Sequence, residues 1–585
     1  MSIFDALNLV CGLALFLYGM DVMGDALKKS AGSSLKATLG KMTSNPAKGF
    51  LLGLLVTAVI QSSSSTTVMV VGFVNSGTMT LLQSVGVIMG ANVGTAVTAW
   101  LTGLSGIEEA EGAVEAIKWL KPDAWMPILA LVGIILIMFV KRGRRRDVGF
   151  ILLGFSVLMV GMSIMSDSVA GLKDSDSFKN LLTMFENPIL GVLAGLVLTA
   201  IVQSSSASVG ILQSLTTTGA ITYGAAIPII MGQNIGTCVT AMISSIGANK
   251  NGRRAALIHL YFNIIGVVFW LCAFYIVDAI ADFAFVDSAI DMWGVAGVHT
   301  IFKMLSVALI APFYRQLERL ACLTIKDKAG EEETVNRLDE RLLETPGVAV
   351  RCAAEVTMTM AKQSIDALNL SLGILNNYDA KVAEEVRALE SKVDTLEDAL
   401  GSYLVKVSAC DLDISDSHEV TKLLHIIGDF ERISDHAVNI VESAEEINEK
   451  KVVFSAEANR EIATMRAAIK EILRHTYDAY ANGDIALATE IEPLEQVVDD
   501  IKDKIKLNHV IRVQKSECTI EHGFVLSDIL TNFERVSDHC SNIASCVIEI
   551  SQNDSLDMHK YLAEIKHGSA AFEEKYKEYS LKYQI

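Results

Sequence analysis

Two runs of polar side chains interrupt apolar stretches of the chain, and their residue types suit binding chemistry. The first run is Gln61-Ser62-Ser63-Ser64-Ser65 with Thr66 after it, and the second is Gln203-Ser204-Ser205-Ser206. Unpaired amide and hydroxyl groups are costly in hydrocarbon, so such runs need partners or a ligand. Both runs are therefore candidate binding sites.

The apolar segments around these runs are too short to cross a membrane. Residues 47–60 would reach about 21 Å as a helix at about 1.5 Å per residue, against a hydrocarbon core of about 30 Å. Two helices that enter the membrane and turn back at the polar run fit the pattern better than two full spans. Because irregular backbone at this depth is tolerated only where it lines a cavity, two such broken hairpins predict a transport site.

A helix that begins just after such a run presents free backbone N–H groups and the positive end of its dipole, roughly half a charge. The sequence places these starts just after residues 64–66 and just after residues 205–206. Two starts that face each other would bind an oxyanion, to which the serine hydroxyls donate. The hydroxyl lone pairs, the backbone carbonyls and both glutamine side chains could coordinate a sodium ion. The alternative is that the serines are small residues for helix packing.

A second pair of motifs follows the polar runs. The motifs are Gly90-Ala-Asn92-Val-Gly94-Thr95 and Gly232-Gln-Asn234-Ile-Gly236-Thr237. Their amides and hydroxyls could line the same site. Glycines that let helices pack closely, with the amides satisfied locally, explain the motifs equally well, and the residues alone leave both interpretations open.

The apolar part of the chain is a duplication. Aligned with itself at an offset of 142 residues, the separation of Gln61 from Gln203, it matches without gaps. Besides the two kinds of motif, the matches are Gly12 with Gly154, Gly19 with Gly161, Met20 with Met162, Asp25 with Asp167, and Asn45-Pro46 with Asn187-Pro188. One register kept through all these pairs is not explained by chance, so we expect two structurally equivalent halves.

Loop charges predict that the two copies have opposite orientations. Lysines follow the first span, residues 3–23, whereas mostly acidic residues follow its counterpart, residues 148–166. Because positively charged loops stay in the cytoplasm, the first hairpin enters from inside and the second from outside. The remaining spans, residues 80–104, 125–140, 222–247, 255–277 and 292–313, obey the same rule. It puts the N-terminus outside and the second half of the chain in the cytoplasm of a multi-pass plasma-membrane protein.

Composition divides the chain in the same place. Residues 1–320 carry a net charge of +2, whereas residues 321–585 carry −21. The apolar runs predict a membrane domain, and the acidic remainder argues against a nucleic-acid partner. The nine cysteines show no disulfide or metal-ligand spacing. Neither a nucleotide-binding loop nor a nucleophile–base constellation stands out, so the sequence predicts neither an ATP-driven pump nor an enzyme.

The acidic part contains a second duplication. The segment Phe430–Ile440, with Glu431-Arg432 and Asp435-His436, returns as Phe533–Ile543. Helix-length segments at residues 350–376, 380–409, 416–447, 455–482, 485–513 and 518–551 indicate two three-helix units. A last polar helix is expected over residues 556–582.

Four pairs of acidic residues recur at a spacing of four in these units. They are Glu390 with Asp394, Glu431 with Asp435, Glu495 with Asp499 and Glu534 with Asp538. At this spacing each pair shares one helical face, where like charges repel and attract cations. Facing pairs could hold a hard metal ion. The alternative is a solvated acidic face with Arg432 and Arg535 as its partners.

The two halves each resemble a known family. The paired Gln-Ser-Ser-Ser runs, each followed by Gly-x-Asn-[Val/Ile]-Gly-Thr, resemble the type II sodium/phosphate cotransporters and their bacterial relatives over about residues 1–315. This resemblance implies sodium-coupled uptake of inorganic phosphate, with substrate and sodium bound at the two breaks. The Glu-Arg-x-x-Asp-His motifs resemble the PhoU family over about residues 345–550. That resemblance implies two three-helix bundles, metal ions of unknown identity and a phosphate-signalling partner.

Together these observations predict an all-α membrane protein with an inverted-repeat transporter domain, two re-entrant broken hairpins and a cytoplasmic PhoU-like domain. The expected divisions are residues 1–142 for the first membrane repeat, 143–320 for the second repeat with the last span, 321–346 for a linker, 347–552 for the helical domain and 553–585 for a polar helix or tail. The predicted function is sodium-coupled phosphate symport. A membrane phosphate sensor, a carrier of another oxyanion and a phosphate exporter remain alternatives, and the oligomeric state, a homo-oligomer included, is left open.

Overall fold

The described residues of the computed structural model form helices joined by turns and loops, and they contain no strand. These are residues 3–41, 46–106, 122–140, 143–175, 178, 184–326, 337–551 and 570–585. The chain divides into two compact units, Met1–Thr345 and Pro346–Ile585. Residues 327–336 of the expected linker and residues 553–569 of the expected tail lie outside the described residues. Within them, the predicted all-α fold is confirmed.

The first unit contains fourteen α-helices in its described residues. The helices of the first repeat are α1 (Ile3–Lys41), α2 (Pro46–Ile60), α3 (Ser63–Asn75), α4 (Leu81–Gly94), α5 (Ala96–Gly103) and α6 (Pro122–Phe139). Those that follow are α7 (Arg144–Ala170), α8 (Pro188–Val202), α9 (Ser205–Thr216), α10 (Tyr223–Gly236), α11 (Cys238–Ser244), α12 (Lys250–Ala281), α13 (Met292–Ile310) and α14 (Tyr314–Thr324).

Six segments of these helices are long and apolar enough to cross a membrane. They are Ile3–Leu27, Leu81–Gly106, Arg144–Ala170, Tyr223–Ser244, Lys250–Ala281 and Met292–Thr324. The apolar helices Pro46–Ile60 and Pro188–Val202 are shorter, and each leads directly into a polar run. Each makes a hairpin with the helix after its run, which confirms the two broken hairpins.

The equivalent helices α1 and α7 pack against each other in opposite directions. A methyl group on Gly12 would lie 2.9 Å from the carbonyl oxygen of Gly161, and one on Gly19 would lie 2.6 Å from that of Gly154. Gly154 and Gly161 are the repeat equivalents of Gly12 and Gly19, so each glycine meets the counterpart of the other. A contact of this reciprocal kind is made only by two copies related by a two-fold axis. The predicted inversion of the repeats therefore matches the packing.

Glycines also bring the hairpins onto the helices that follow them. A methyl group on Gly90 would lie 1.9 Å from the carbonyl oxygen of Phe50, and one on Gly232 would lie 2.0 Å from that of Val192. The two contacts are repeat equivalents: the first joins α4 to α2, and the second joins α10 to α8. Backbone contact of this kind needs glycine and is the usual way in which membrane helices pack tightly.

The second unit contains two three-helix bundles. Its helices are α15 (Pro346–Ile374), α16 (Ala380–Ser408), α17 (Ile414–Glu449), α18 (Ala456–Asn482), α19 (Ile485–Ala488), α20 (Ile491–Gln514), α21 (Ile520–Ser551) and α22 (Ala570–Lys582). Helices α15, α16 and α17 pack together, as do α18, α20 and α21, and α17 lies against α21. At that junction His436 Nδ1 is 2.8 Å from Asn532 Oδ1, and His539 Nδ1 is 2.8 Å from Asp429 Oδ1. These pairs are also repeat equivalents, so the bundles meet reciprocally.

Two helix boundaries differ from the prediction for a reason that involves proline. Helix α15 begins at Pro346 rather than near residue 350, because proline is tolerated in the first turn of a helix. The segment expected as one helix over residues 485–513 is divided between α19 and α20. Pro493 lies in the first turn of α20, where its missing N–H costs nothing.

The glycine contacts predict which substitutions the membrane unit tolerates. We expect Gly90→Ala and Gly232→Ala each to destabilise it by about 1–3 kcal/mol, since overpacking forces backbone shifts. Gly297→Ala in α13 is the matched control, because beyond its chain neighbours and the backbone of its own helix no heavy atom lies within 4 Å of its added methyl. Thermal unfolding of the purified protein, followed by size-exclusion chromatography, measures the effect. Unfolding temperatures equal to that of the control would contradict the packing argument.

Candidate functional site

The first hairpin breaks because one residue adopts a left-handed backbone. Gln61 has φ 59°, and its N–H donates to the carbonyl of Thr57 at 2.8 Å, which ends α2. Ser62 is then extended, and its hydroxyl accepts from the backbone N–H of Ser65 at 3.2 Å. The serine is thus the N-cap of α3, a position that favours its residue type.

The second hairpin repeats this geometry. Gln203 has φ 56° and donates its N–H to Thr199 at 2.8 Å. Ser204 is extended, and its hydroxyl accepts from the N–H of Ala207 at 3.2 Å. Two breaks with the same dihedral angles and the same hydrogen bonds show that the repeat is preserved down to individual side chains.

The helices after the breaks begin earlier than the sequence suggested. Helix α3 begins at Ser63 and α9 at Ser205, because the serine directly after each glutamine already caps the helix. The first-turn N–H groups of Ser63 and Ser64 have no partner within the helix, and the same holds at the start of α9. Both helix starts therefore combine free N–H groups, a positive dipole end and serine hydroxyls.

One cavity of about 450 Å³ joins both breaks. It is lined by Leu17, Tyr18, Met20, Asp21, Gly24, Asp25 and Ile60, by residues 61–65 and by residues 203–206. Nine of the predicted site residues thus come together from opposite halves of the repeat. Thr66 lies behind the lining, where its hydroxyl bonds to the carbonyl of Ser62 at 3.0 Å.

Two carboxylates in the cavity lining were missed by the sequence analysis. Asp21 and Asp25 lie on α1 and line the cavity beside the serines. The sequence carried a signal, since acidic residues inside an apolar span are rare and Asp25 matches Asp167 in the repeat. Carboxylate oxygens are preferred ligands of hard cations, whereas free N–H groups at helix starts suit an anion, so the lining contains groups of both kinds.

The second pair of motifs lies outside the cavity lining. Asn92 donates to Ile88 O at 3.2 Å, Asn234 to Ile230 O at 2.8 Å, Thr95 to Ala91 O at 3.3 Å and Thr237 to Gln233 O at 2.9 Å. All four side chains are buried and bonded to the preceding turn of their own helix. This arrangement matches the close-packing interpretation, while a role in ligand binding stays a prediction.

The two glutamines differ although their backbones agree. The Gln61 side chain is buried, donates to the carbonyl of Ala58 and accepts from Thr98 Oγ1 at 2.9 Å. The Gln203 side chain is exposed and makes no hydrogen bond within the described residues. Thr240, the repeat equivalent of Thr98, donates instead to the carbonyl of Thr237 at 2.9 Å. The site is therefore asymmetric.

The acidic set in the first bundle of the second unit has an unusual protonation equilibrium. Burial raises the pKa of Glu431 to about 7, with Asp435 adding to the shift. Burial also raises the pKa of Glu390, with Asp435 and Asp394 contributing. Arg432 Nη1 is 3.2 Å from Asp435 Oδ2, but the Arg432 side chain is 62% exposed and compensates only in part.

In the second bundle a lysine compensates the acidic set. Lys502 Nζ is 3.1 Å from both Asp499 Oδ1 and Glu534 Oε1, and its side chain is 12% exposed. When the bundles are aligned so that Asp394 matches Asp499, the residue of the first bundle that matches Lys502 is Glu397. The matched acidic sets are therefore electrostatically different. Among the described residues no three His, Cys, Asp or Glu side chains are grouped to hold a metal ion, and metal binding stays a prediction.

Inverted repeats whose broken hairpins meet at one polar cavity define the membrane unit as that of a secondary transporter. The model of the Na+/Pi-cotransporter family matches residues 15–167 and 159–294, and the PhoU domain model matches residues 357–444 and 462–547. The chain belongs to the Na+/Pi-cotransporter family, and its second unit carries two PhoU domains.

Three relatives illustrate this two-part organisation. YjbB of Escherichia coli O157:H7, named as a candidate inorganic phosphate export protein, is 23% identical over 94% of this chain and 98% of its own length. The human sodium-dependent phosphate transport protein 2B is 36% identical over 26% of this chain and 22% of its own. A PhoU homologue of Thermotoga maritima is 24% identical over 35% of this chain and 87% of its own.

The contrast between the bundles predicts a pH-dependent stability. The folded protein binds the Glu431 proton more tightly than the unfolded chain, so ionising this group costs stability as the pH rises from 4.5 through 7. We expect Glu431→Gln to raise the urea midpoint of the second unit at about pH 8.5 and to change it little at about pH 5.

Glu534→Gln in the full-length protein is the matched control for this measurement. It removes the negative charge that pairs with Lys502, so it should lower the midpoint instead. Limited proteolysis in urea measures both variants. An effect of Glu431→Gln that is the same at both pH values would contradict the electrostatic explanation.

Proposed function

We propose that the protein transports inorganic phosphate together with sodium through the cavity between the two hairpins. The observation that carries the proposal is the meeting of two serine-capped helix starts, which suit an oxyanion, with Asp21, Asp25 and glutamine carbonyls, which suit a sodium ion. The family match and the name of the human relative support phosphate and sodium as the pair of solutes.

Phosphate export is the second candidate. The E. coli relatives that align with nearly the whole chain, including the second unit, are named for export. A secondary transporter works in both directions, and the gradients of its solutes set the net flux. The same site therefore serves either direction, and only a flux measurement distinguishes them.

The loop charges support a plasma-membrane orientation with the N-terminus outside and the helical unit in the cytoplasm. In this orientation Asp21 and Asp25 lie in the inner part of α1, since the lysines that follow them mark its cytoplasmic end. The cavity then faces the cytoplasm, the side from which an importer releases phosphate and an exporter binds it.

Radiolabelled phosphate flux in proteoliposomes tests the proposal. We expect uptake with an inward sodium gradient and none when potassium replaces sodium. The double variant Gln61→Ala/Gln203→Ala should reduce this uptake at least tenfold while Gly297→Ala keeps it, because only the former alters the cavity lining. Sodium-dependent flux at the wild-type rate in the double variant would refute the site. Efflux that persists with potassium on both sides would favour export by another driving force.

A buried contact in the first unit supports regulation of this site by the PhoU domains. Asn75, the last residue of α3, donates through Nδ2 to Asp339 Oδ2 at 2.5 Å. Arg341 pairs with Asp339 at 2.9 Å and donates to the carbonyls of Ser244 at 2.6 Å and Ile246 at 2.9 Å. Leu342 next to them is fully buried.

This contact lies at the end of α3 opposite the binding serines. The helix is 13 residues long, so its two ends are about 20 Å apart. The contact segment leads into the first PhoU helix within a few residues, since α15 begins at Pro346. We propose that a force on this segment moves α3 and thereby the serines at its start.

Substitution of the contact residues tests this coupling. We expect Arg341→Ala and Asn75→Ala each to change the apparent KM for phosphate several-fold, and the double variant to add little, because both residues act through one network. Arg319→Ala, an exposed arginine on α14, is the control. Additive effects of the two variants, or a KM equal to the control, would show that the contact only holds the chain together.

A further inference from the structure

The hairpin tips share their backbone hydrogen bonds but differ in several hydrogen bonds made by their side chains. Thr57 bonds to Thr66 at 3.0 Å, and their equivalents Thr199 and Ser208 bond at 2.8 Å. Against this agreement, the hydrogen bond from Thr98 to Gln61 has no counterpart between Thr240 and Gln203. Both halves have a glutamine and a threonine at these positions, so this bond, unlike one that needs a residue found in a single half, can be exchanged between the halves.

The cavity is asymmetric in the same sense. It is lined by Leu17 and Met20 of α1, whereas their equivalents on α7, Met159 and Met162, are fully buried. The cavity is therefore open on the α1 side, which supplies six of its lining residues, and closed on the α7 side, which supplies none among the described residues. Gln61 and α1 both belong to the first repeat. The repeat whose glutamine is hydrogen-bonded is therefore also the repeat whose first helix lines the cavity.

A buried hydroxyl on α7 has no partner in this arrangement. Ser166 Oγ is buried and makes no hydrogen bond within the described residues. Ser166 is the equivalent of Gly24, which lines the open cavity on α1. A buried polar atom without a partner needs an explanation, and a second state in which the α7 side is hydrated supplies one.

We propose that the Gln61–Thr98 hydrogen bond holds the cavity open on the α1 side, and that transport exchanges it for a Gln203–Thr240 bond with the cavity open on the α7 side. In the second state Thr98 would bond to the carbonyl of Thr95, as Thr240 now bonds to that of Thr237. The inference rests on the proposed transport function, because it describes how one site is exposed to each side in turn.

The exchange conserves hydrogen bonds, which keeps the two states close in free energy. Each glutamine amide is either buried with protein partners or exposed to water, and each threonine hydroxyl bonds either to the glutamine or to its own helix. A net hydrogen bond contributes little more than the water bond that it replaces, so neither state is trapped. Thr98 and Thr240 thus act as positioning residues that set the balance between the states.

Removing one hydroxyl should shift this balance in a direction that depends on the repeat. We expect Thr98→Val to depopulate the observed state and Thr240→Val to depopulate the other, each by roughly threefold to tenfold. Tyr18→Cys on α1 and Ser163→Cys on α7 report the two sides of the cavity. Their labelling rates with a charged thiol reagent, resolved by peptide mass spectrometry, are measured in full-length protein in lipid nanodiscs.

In Thr98→Val, labelling should slow at position 18 and quicken at position 163, and in Thr240→Val both changes should be reversed. Thr98→Ser, which keeps the hydroxyl, should label like the wild type, and the Thr98→Val/Thr240→Val variant should return towards it. Shifts in the same direction for both single variants, or wild-type rates in both, would overturn the proposal. Phosphate flux is measured separately: labelling shifts without flux in the wild type would refute the transport proposal and leave the two states standing.

Discussion

The membrane unit depends on one constraint: backbone that leaves the helical path inside a bilayer must have all its polar groups satisfied. At both hairpin tips a left-handed glutamine closes one helix and an extended serine caps the next, so the break consumes few residues and leaves few orphan groups. The residues whose N–H groups stay free line the cavity, where a ligand could satisfy them. The candidate site is thus formed by the few backbone groups whose hydrogen bonds the hairpin itself does not satisfy.

The glycine contacts hold these tips in place. The Gly-x-Asn-x-Gly-Thr segments resemble a second ligand-binding motif in sequence, but they bring helix backbones together behind the cavity. Their amides and hydroxyls return to their own helices. Because the helix backbones that support each hairpin tip are tightly packed, side chains at the tip can change their hydrogen bonds while the hairpin backbone keeps its structure. The second kind of motif therefore supports the hairpins by packing, while a role for it in ligand binding stays a prediction.

The sequence predicts the broken hairpins, the inversion and most of the cavity lining, because each is encoded twice at a fixed offset. Apart from Asp25, which matches Asp167, what it does not predict arises where the repeats differ. Asp21 has Ser163 as its equivalent, and Lys502 has Glu397, so a search for matches passes over both. The unequal environments of Gln61 and Gln203 are also invisible in sequence, since the residues are identical and only tertiary contacts separate them. Helix starts were misplaced by a few residues because the capping serine is one of several in a row.

The reciprocal contacts have an evolutionary consequence. Between the membrane repeats, Gly12 packs against the repeat equivalent of Gly19. Between the bundles, His436 contacts Asn532 and His539 contacts Asp429, and these two partners are themselves repeat equivalents. Such a surface is complementary to itself, so a half-length protein already carries everything needed to pair with a second copy, in the membrane by inserting in both orientations. Joining two genes then adds no new interface. After the fusion the two halves can change independently. One half can then carry a carboxylate, a lysine or an unbonded glutamine that the other half lacks.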